Sequence, residues 1–293
     1  MIKNLLYVLA GLSIVVALFS FVLTPNVSRF KKENPKKTSL MEFRESEWKL
    51  KGRKVRIYQD WVPFSRISPY VVKAVIIAED DKFWSHEGFD YEAMQKAVEK
   101  NIKAGRFKAG GSTISQQLAK NLYLTPKKSP VRKIREAAIT WKIERSLSKR
   151  RILELYLNVV EWGEGVFGIE AASLRYFGHP AIDVSPMEAA RLVAVLPNPR
   201  KYNPAGDQKY VLNRSSVIYD IMVKRGIVVP EYEEVSQDTG QSEAIEAVPQ
   251  PAGDEALKDA ASDKGTEALQ IEQAAQNQSD QQQGPQYNPQ TSR

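Results

Sequence analysis

The chain has 293 residues, of which 42% are hydrophobic and 26% are charged, enough for one sizeable globular domain with additional segments. It has no cysteine, which excludes disulfides, thiol nucleophiles and thiolate metal sites, and its two histidines leave little for a zinc site. Residues 231–293 hold thirteen acids and three bases, so the net charge of +7 leaves +17 on residues 1–230. Such a basic surface favours polyanions. Because no zinc-finger or RNA-binding signature is present, we expect lipid phosphates as partners and no nucleic acid.

An uncharged apolar stretch of nineteen residues, LLYVLAGLSIVVALFSFVL, occupies positions 5–23. As a helix it just spans a hydrocarbon core of about 30 Å, so we predict a single-pass membrane anchor. Residues 1–4 would then form its cytoplasmic end and 24–60 a connector. A cleavable signal peptide is the alternative, but the stretch is long for one and no convincing cleavage site follows. Lys and Arg residues are more numerous after the stretch than before it, so the positive-inside rule alone places the main domain in the cytoplasm.

Residues 61–230 are predicted to form an all-α domain, with at most a short strand such as KVRIY ahead of it. The first helix has Ser68 as its N-cap and Pro69 in its first turn, and it ends in three consecutive acids, Glu79, Asp80 and Asp81. Acids at a helix C-terminus are unfavourable by a few tenths to about 1 kcal/mol each. Crowding like charges there also raises a carboxyl pKa towards that of a useful proton acceptor. A solvated loop with a structural histidine is the alternative.

The next segment, KAGGSTISQQLAKNLYL, combines two glycines with an amphipathic helix. We predict Ser112 as the N-cap. A glycine-led helix N-terminus favours anions, and hydroxyl, amide and ammonium donors on one stripe suit sugar hydroxyls and phosphate. An ordinary capped surface helix is the alternative reading. The apolar face consists of Ile114, Leu118 and Leu122, and the polar stripe of Thr113, Gln117 and Lys120.

The rest of the domain continues as capped helices. In SPVRKIREAAITWKIERSLSKRRILELYLN, Ser129 is the predicted N-cap, and Arg132 lies four residues before Glu136, a spacing typical of a surface ion pair. The segment GEGVFGIEAASLRYFG predicts a tight loop followed by a helix that Gly178 ends. A capping box follows at Ser185 and Glu188, and LPNP ends that helix. Residues 231–293 are poor in large apolar side chains, so we predict a disordered acidic, Gln-rich tail that the chemistry does not need.

Five segments taken in order resemble the five motifs of the family 51 peptidoglycan glycosyltransferases. They are EDDKFWSHEGFD, GGSTISQQLAKNLYL, RKIREAAITWKIE, KRRILELYLN and GVFGIEAASLRYFG. The resemblance covers about residues 61–205, and it is greatest to the monofunctional members of Gram-negative bacteria. It implies a lysozyme-like helical fold and a membrane enzyme of cell-wall biogenesis. Such an enzyme transfers the lipid-linked growing glycan onto the 4-hydroxyl of lipid II, with inversion and release of undecaprenyl pyrophosphate.

The resemblance also implies roles for individual residues. Glu79 matches the general base and Glu136 the second essential carboxylate, while Asp80 supports Glu79 electrostatically. A divalent cation, Mg²⁺ or Mn²⁺, at the pyrophosphate stays open, as do other cell-wall synthases as partners. The location implied is the periplasmic side of the inner membrane, against the loop-charge rule. The remaining matches are Phe83 and His86 in the first loop, Ser112, Thr113, Gln116, Gln117 and Asn121 as sugar and phosphate contacts, and Lys120, Lys128, Arg132, Lys133 and Arg135 around the leaving pyrophosphate.

Three other classes of protein explain part of the sequence. A lysozyme-type hydrolase also uses two carboxylates on a helical fold, but it needs neither the cations nor an anchor. A non-catalytic, membrane-tethered scaffold would account for the anchor and the tail only. A bifunctional penicillin-binding protein would need a second domain. The segment SLSK at 146–149 matches an acylation motif by chance, because no Lys-Thr-Gly follows it.

Overall fold

The structure, a computed structural model, describes Tyr7, Gly11 and residues 25–104, 110–127 and 129–228. Nearly all of the predicted anchor, Lys128 and the whole predicted tail lie outside the described residues, and the predicted domain boundaries stay predictions. Among the described residues, none of the helices has the length and apolar character needed to cross a bilayer.

The described part of the chain is mostly helical, as predicted; the likeness to lysozyme stays a prediction. Short 3-10 turns precede several helices, at Ser28–Lys31, Phe64–Arg66 and Ala181–Asp183. The α-helices are α1 (Ser39–Leu50), α2 (Pro69–Glu79), α3 (Tyr91–Ala104), α4 (Ile114–Tyr123), α5 (Pro130–Ser146), α6 (Lys149–Val159), α7 (Ile169–Tyr176), α8 (Pro186–Val195) and α9 (Lys209–Lys224).

Helix starts follow the predicted caps, with one exception. The side chains of Ser68, Ser129 and Ser185 accept backbone N–H groups at the starts of α2, α5 and α8. The predicted cap at Ser112 is wrong, because the cap of α4 is Thr113. Its Oγ accepts the N–H of Gln116 at 3.2 Å, and the Gln116 side chain accepts the Thr113 N–H at 3.0 Å. Thr113 and Gln116 fit the spacing of a capping box, a signal already present in the sequence.

Two groups of helices enclose one hydrophobic core. α4 packs against α1, α5 and α6, while α8 packs against α2 and α9. The side chains of Val75, Leu118, Ile139, Tyr156 and Trp162 are fully buried between them. The helices that carry the motifs are therefore held in place by the core on their apolar faces.

The all-α prediction is wrong in one respect, since a two-stranded antiparallel hairpin joins α6 to α7. It consists of β1 (Glu161–Gly163) and β2 (Val166–Phe167). Gly165 adopts φ +77, and a Cβ there would lie 2.6 Å from the Arg56 carbonyl oxygen, so this turn requires glycine. Strands of three and two residues are too short for an alternating pattern to predict them.

The predicted connector contains secondary structure of its own. α1 lies within it and packs on α4, and Thr38 caps α1 by accepting the Met41 N–H. The KVRIY segment pairs with the hairpin at one point, where Tyr58 forms a parallel bridge to Val166. The described part of the connector is thus built into the domain.

Candidate active site

Glu79 is the last residue of α2, and its side chain is 15% exposed. Gln117 of α4 donates its amide N–H to Glu79 Oε2 at 2.9 Å. The Tyr156 hydroxyl donates to the carbonyl oxygen of that amide at 3.1 Å, which fixes the amide orientation. Arg214 of α9 places a guanidinium nitrogen 3.9 Å from Glu79 Oε1. The carboxylate is thus held in one position while part of it stays accessible.

Burial is the main cause that raises the pKa of Glu79. The Gln117 hydrogen bond and the charges of Arg214 and Lys120 oppose the rise, and the neighbouring Asp80 adds only the smallest contribution to it. The predicted direction of the pKa shift is therefore confirmed, but its main cause is desolvation and not crowding. Asp81 turns away and binds Arg225 through two hydrogen bonds, of which the longer is 3.1 Å.

Asp80 is buried, and all its contacts are made within the protein. His86 Nε2 lies 2.8 and 3.0 Å from its two oxygens, and the Ile114 N–H at the start of α4 donates to Oδ2 at 2.8 Å. His86 Nδ1 accepts the Gly88 N–H at 3.0 Å, so the ring proton is on Nε2 and is donated to Asp80. Asp80 thus joins the loop after α2 to the N-terminus of α4, whose dipole favours a carboxylate.

Aromatic and hydroxyl groups hold the loop between α2 and α3 in place. Phe83 is fully buried and packs edge-on against Trp84 and His86. The Thr113 hydroxyl donates to the Gly88 carbonyl at 2.7 Å while it caps α4. Gly88 has φ +94, and a Cβ there would lie 2.9 Å from the Glu144 side chain. The loop that carries Asp80 and follows Glu79 therefore has little freedom to move.

A second carboxylate, Glu136 of α5, is also buried. Arg132 donates to its Oε2 at 2.6 Å, and Lys133 donates to its Oε1. The predicted Arg132–Glu136 pair is therefore present, but Glu136 lies inside the protein and not on the surface. It neutralises part of the charge of two cations that would otherwise repel each other.

The charge of Lys120, on α4, interacts with both carboxylates, Glu79 and Glu136. Burial is the main cause that lowers its pKa; the charges of Glu136 and Glu79 raise it and that of Arg132 lowers it. Its ammonium forms no hydrogen bond or ion pair within the part of the chain that the structure describes. Such a group is available to an anionic ligand, which would also relieve its desolvation.

A cavity of about 300 Å³ lies beside these groups. Polar side chains from α4 and α5 line it, together with apolar side chains from the segment after α8. Gln117 donates to Glu79 and also lines the cavity, so one side chain connects the carboxylate to the cavity. The polar lining is formed by Gln117, Lys120, Asn121, Arg132, Arg44 and Glu161, and the apolar lining includes Leu40, Leu124, Leu196, Pro197 and Pro199.

The sequence of the chain is similar to those of known proteins. The transglycosylase family model matches residues 49–223. The biosynthetic peptidoglycan transglycosylase of Aromatoleum aromaticum is 55% identical over 199 residues, covering 68% of this chain and 85% of that protein. Proteins of the same name from Nitrosospira multiformis and Laribacter hongkongensis are 45% and 41% identical. Those alignments cover 73% and 74% of this chain, and 93% and 96% of the relatives.

The chain belongs to the transglycosylase family. It is a peptidoglycan glycosyltransferase, and the recognition from five ordered motifs is confirmed.

Not every predicted site residue of the transglycosylase lies at the cavity. Ser112 and Arg135 are exposed and take no part in the contacts described above. Thr113 and Gln116 are buried and engaged in the cap of α4, so their visible role is to hold the start of that helix. Lys128 lies outside the described residues. Of the predicted residues, those that line the cavity or contact Glu79 or Glu136 are Gln117, Lys120, Asn121, Arg132 and Lys133.

The donor set around Glu136 does not fit a divalent cation bound by the transglycosylase itself. Both carboxylate oxygens accept hydrogen bonds from cationic side chains. No group of three His, Asp or Glu residues suited to a metal ion occurs within the described residues. Hard divalent cations need several oxygen ligands, so we derive no step through a metal.

Three residues of the transglycosylase site were missed at the sequence level. Arg214 beside Glu79 lies on α9, beyond the fifth motif, and Arg44 lies on α1, before the first. Glu161 lies between the fourth and fifth motifs. No local pattern marks these positions, because their relevance arises from helices that meet only in the folded chain.

Proposed function

We propose that this transglycosylase polymerises glycan strands from lipid II. The growing lipid-linked chain is the donor and the 4-hydroxyl of lipid II is the acceptor. The anomeric carbon is inverted in a single displacement, and undecaprenyl pyrophosphate leaves. The observation that carries the proposal is that one helix, α4, contributes to both parts of the site. Gln117 donates to the carboxylate of Glu79, and one turn later Lys120 lines the cavity together with other cations.

Glu79 is the general base in this proposal. It takes the proton from the acceptor hydroxyl as the oxygen attacks the anomeric carbon. A raised pKa brings a carboxylate closer to the range in which it accepts a proton effectively near neutral pH. Asp80 is less suited to this role, since both its oxygens are already engaged with His86 and the Ile114 N–H. Its role is to position the loop that follows the base.

The leaving diphosphate is stabilised by Lys120 and Arg132. Negative charge builds on the bridging oxygen as the glycosidic bond breaks, and fixed cations in a site shielded from water stabilise that charge strongly. Glu136 holds Arg132 and Lys133 in place and limits their mutual repulsion. This chemistry needs cations as well as a carboxylate base, which a hydrolase of the lysozyme type does not.

A direct assay tests the proposal. Detergent-solubilised full-length chain incubated with labelled lipid II is expected to yield a ladder of glycan polymers on a gel, with release of undecaprenyl pyrophosphate. Disaccharide hydrolysis products would indicate a hydrolase. No product from folded protein would indicate a non-catalytic scaffold.

We also propose a single-pass protein of the inner membrane with a periplasmic catalytic domain. The reason is that lipid II is displayed on the periplasmic side, although the Lys and Arg residues after positions 5–23 indicate a cytoplasmic domain. Alkaline phosphatase fused to the C-terminus should be active in cells, and green fluorescent protein fused there should not fluoresce. Fluorescence together with inactive phosphatase would place the domain in the cytoplasm and would contradict the lipid II proposal.

A further inference from the structure

The cavity is lined by α1 as well as α4 and α5, through Leu40 and Arg44. α1 precedes all five motifs, and no role for Arg44 follows from the family resemblance. α1 packs directly on α4, so a cation on α1 faces the same cavity as Lys120 and Arg132. Cations from three helices thus line one cavity, together with the carboxylate of Glu161.

The guanidinium of Arg44 is held rigidly. Its Nε and Nη2 donate to the Glu161 carboxylate, the shortest distance being 2.7 Å, and its Nη1 donates to Glu47 at 3.1 Å. Glu161 is 4% exposed and Arg44 is 17% exposed as side chains, so the pair is largely desolvated. Arg200 also binds Glu47, at 2.9 Å, and fixes that carboxylate from the other side.

These contacts do not use all the donors of Arg44. A guanidinium has five N–H groups, and the contacts with Glu161 and Glu47 account for one on each nitrogen. One N–H on each terminal nitrogen is left without an acceptor among the described residues. Two donors on a planar, fixed and permanently charged group at a cavity wall match the geometry of phosphate oxygens.

We propose that Arg44 is a further substrate-binding residue, which binds the diphosphate of the lipid-linked donor together with Lys120, and that Glu161 positions it. This inference rests on the proposed function, because it takes a prenyl diphosphate as the ligand. Two cations held on different helices bind a diphosphate more firmly than one alone, and they keep it in place as the bond to the sugar breaks.

A purely structural role for the pair makes a different prediction. If the Arg44–Glu161 ion pair only fastens α1 to the hairpin, loss of either partner leaves the other charge buried and harms the protein in the same way. If Arg44 binds diphosphate, its removal weakens binding. Neutralising Glu161 then preserves or strengthens binding, because a negative charge leaves the cavity wall. The two changes should therefore act in opposite directions on a diphosphate ligand.

Farnesyl diphosphate is the probe, with calorimetric binding to the full chain as one measurement and inhibition of lipid II polymerisation as the other. Arg44→Ala is expected to weaken binding about tenfold or more, the effect of losing a hydrogen-bonded charge. Glu161→Gln should bind the probe at least as well as the wild type. The matched control is Arg53→Ala, which removes a fork to Glu164 at 2.7 and 2.8 Å but lines no part of the cavity. It should leave binding unchanged.

Equal weakening by Arg44→Ala and Glu161→Gln would overturn the proposal, as would an Arg44→Ala variant that binds like Arg53→Ala. If Arg44→Ala does not fold, Arg44→Gln keeps an N–H for Glu161 without the charge and is expected to show the same loss. Binding of the probe is measured without turnover, so the proposed function and the inference about Arg44 can be contradicted independently of each other. A wild type that binds the probe without making glycan contradicts the proposed function, and an active enzyme indifferent to Arg44 contradicts this inference.

Discussion

Glu79→Gln is expected to lower the rate of glycan polymerisation by about 10²- to 10⁴-fold, the usual contribution of a general base. Glutamine keeps the shape of the side chain, and its carbonyl oxygen still accepts the Gln117 amide, but it does not take a proton from the acceptor hydroxyl. Binding of a non-reactive lipid II analogue should therefore stay close to that of the wild type. Gel assays with labelled lipid II give the rate, and calorimetry gives the affinity.

Asp80→Asn is the comparison that tests this assignment. An asparagine replaces one acceptor oxygen with an NH₂ donor and removes the charge, so the hydrogen bonds from His86 and the Ile114 N–H become weaker, and we expect a lower midpoint of thermal unfolding. Glu79→Gln should not show such a loss. Substantial polymer from Glu79→Gln, together with a folded but inactive Asp80→Asn, would move the role of base to Asp80.

The raised pKa of Glu79 also predicts how activity and stability depend on pH. Activity should fall as pH drops through this pKa, because the base becomes protonated. A carboxyl whose folded pKa lies above its unfolded value favours folding below the unfolded pKa and loses that contribution as pH rises through the folded pKa. Glu79→Gln should therefore unfold at a higher temperature than the wild type at neutral pH, and this difference should shrink in acid.

Local signals in the sequence predicted the elements that rest on local chemistry. The caps at Ser68, Ser129 and Ser185 were found because one side chain and a nearby N–H suffice to form them. The cap at Thr113 was placed one residue early, because two adjacent hydroxyl residues compete for that position. The hairpin after α6 was missed because its strands are stabilised by Tyr58, more than a hundred residues away from β2.

In the candidate site too, local signals predicted some residues, whereas others depend on how the helices pack. The motifs supplied Glu79, Gln117, Lys120 and Glu136, whose positions on helices follow from spacing. The sequence did not indicate that Glu79 is perturbed mainly by burial, since burial depends on how α2, α4 and α9 meet. Nor did it indicate Arg44, whose approach to the cavity depends on the packing of α1 against α4.

The second large effect is expected from Lys120→Ala. Removal of one fixed donor at a site of developing charge typically costs about 10²- to 10³-fold in rate. The bound diphosphate is charged before the reaction as well as during it, so this variant should also bind farnesyl diphosphate more weakly. Glu79→Gln and Lys120→Ala should thus differ in kind, the first losing turnover alone and the second losing turnover and binding.

Lys133→Ala is the matched control for Lys120→Ala. Lys133 is a lysine of the same cluster, but its side chain is 49% exposed and its ammonium is already paired with Glu136. Its removal leaves Arg132 bound to Glu136, and we expect a loss in rate well below that of Lys120→Ala, because water screens the charge of a half-exposed ammonium. A Lys120→Ala enzyme with wild-type affinity for farnesyl diphosphate would place the diphosphate elsewhere. If Lys133→Ala were the more damaging change, the leaving group would lie nearer the exposed end of α5 than the cavity beside α4.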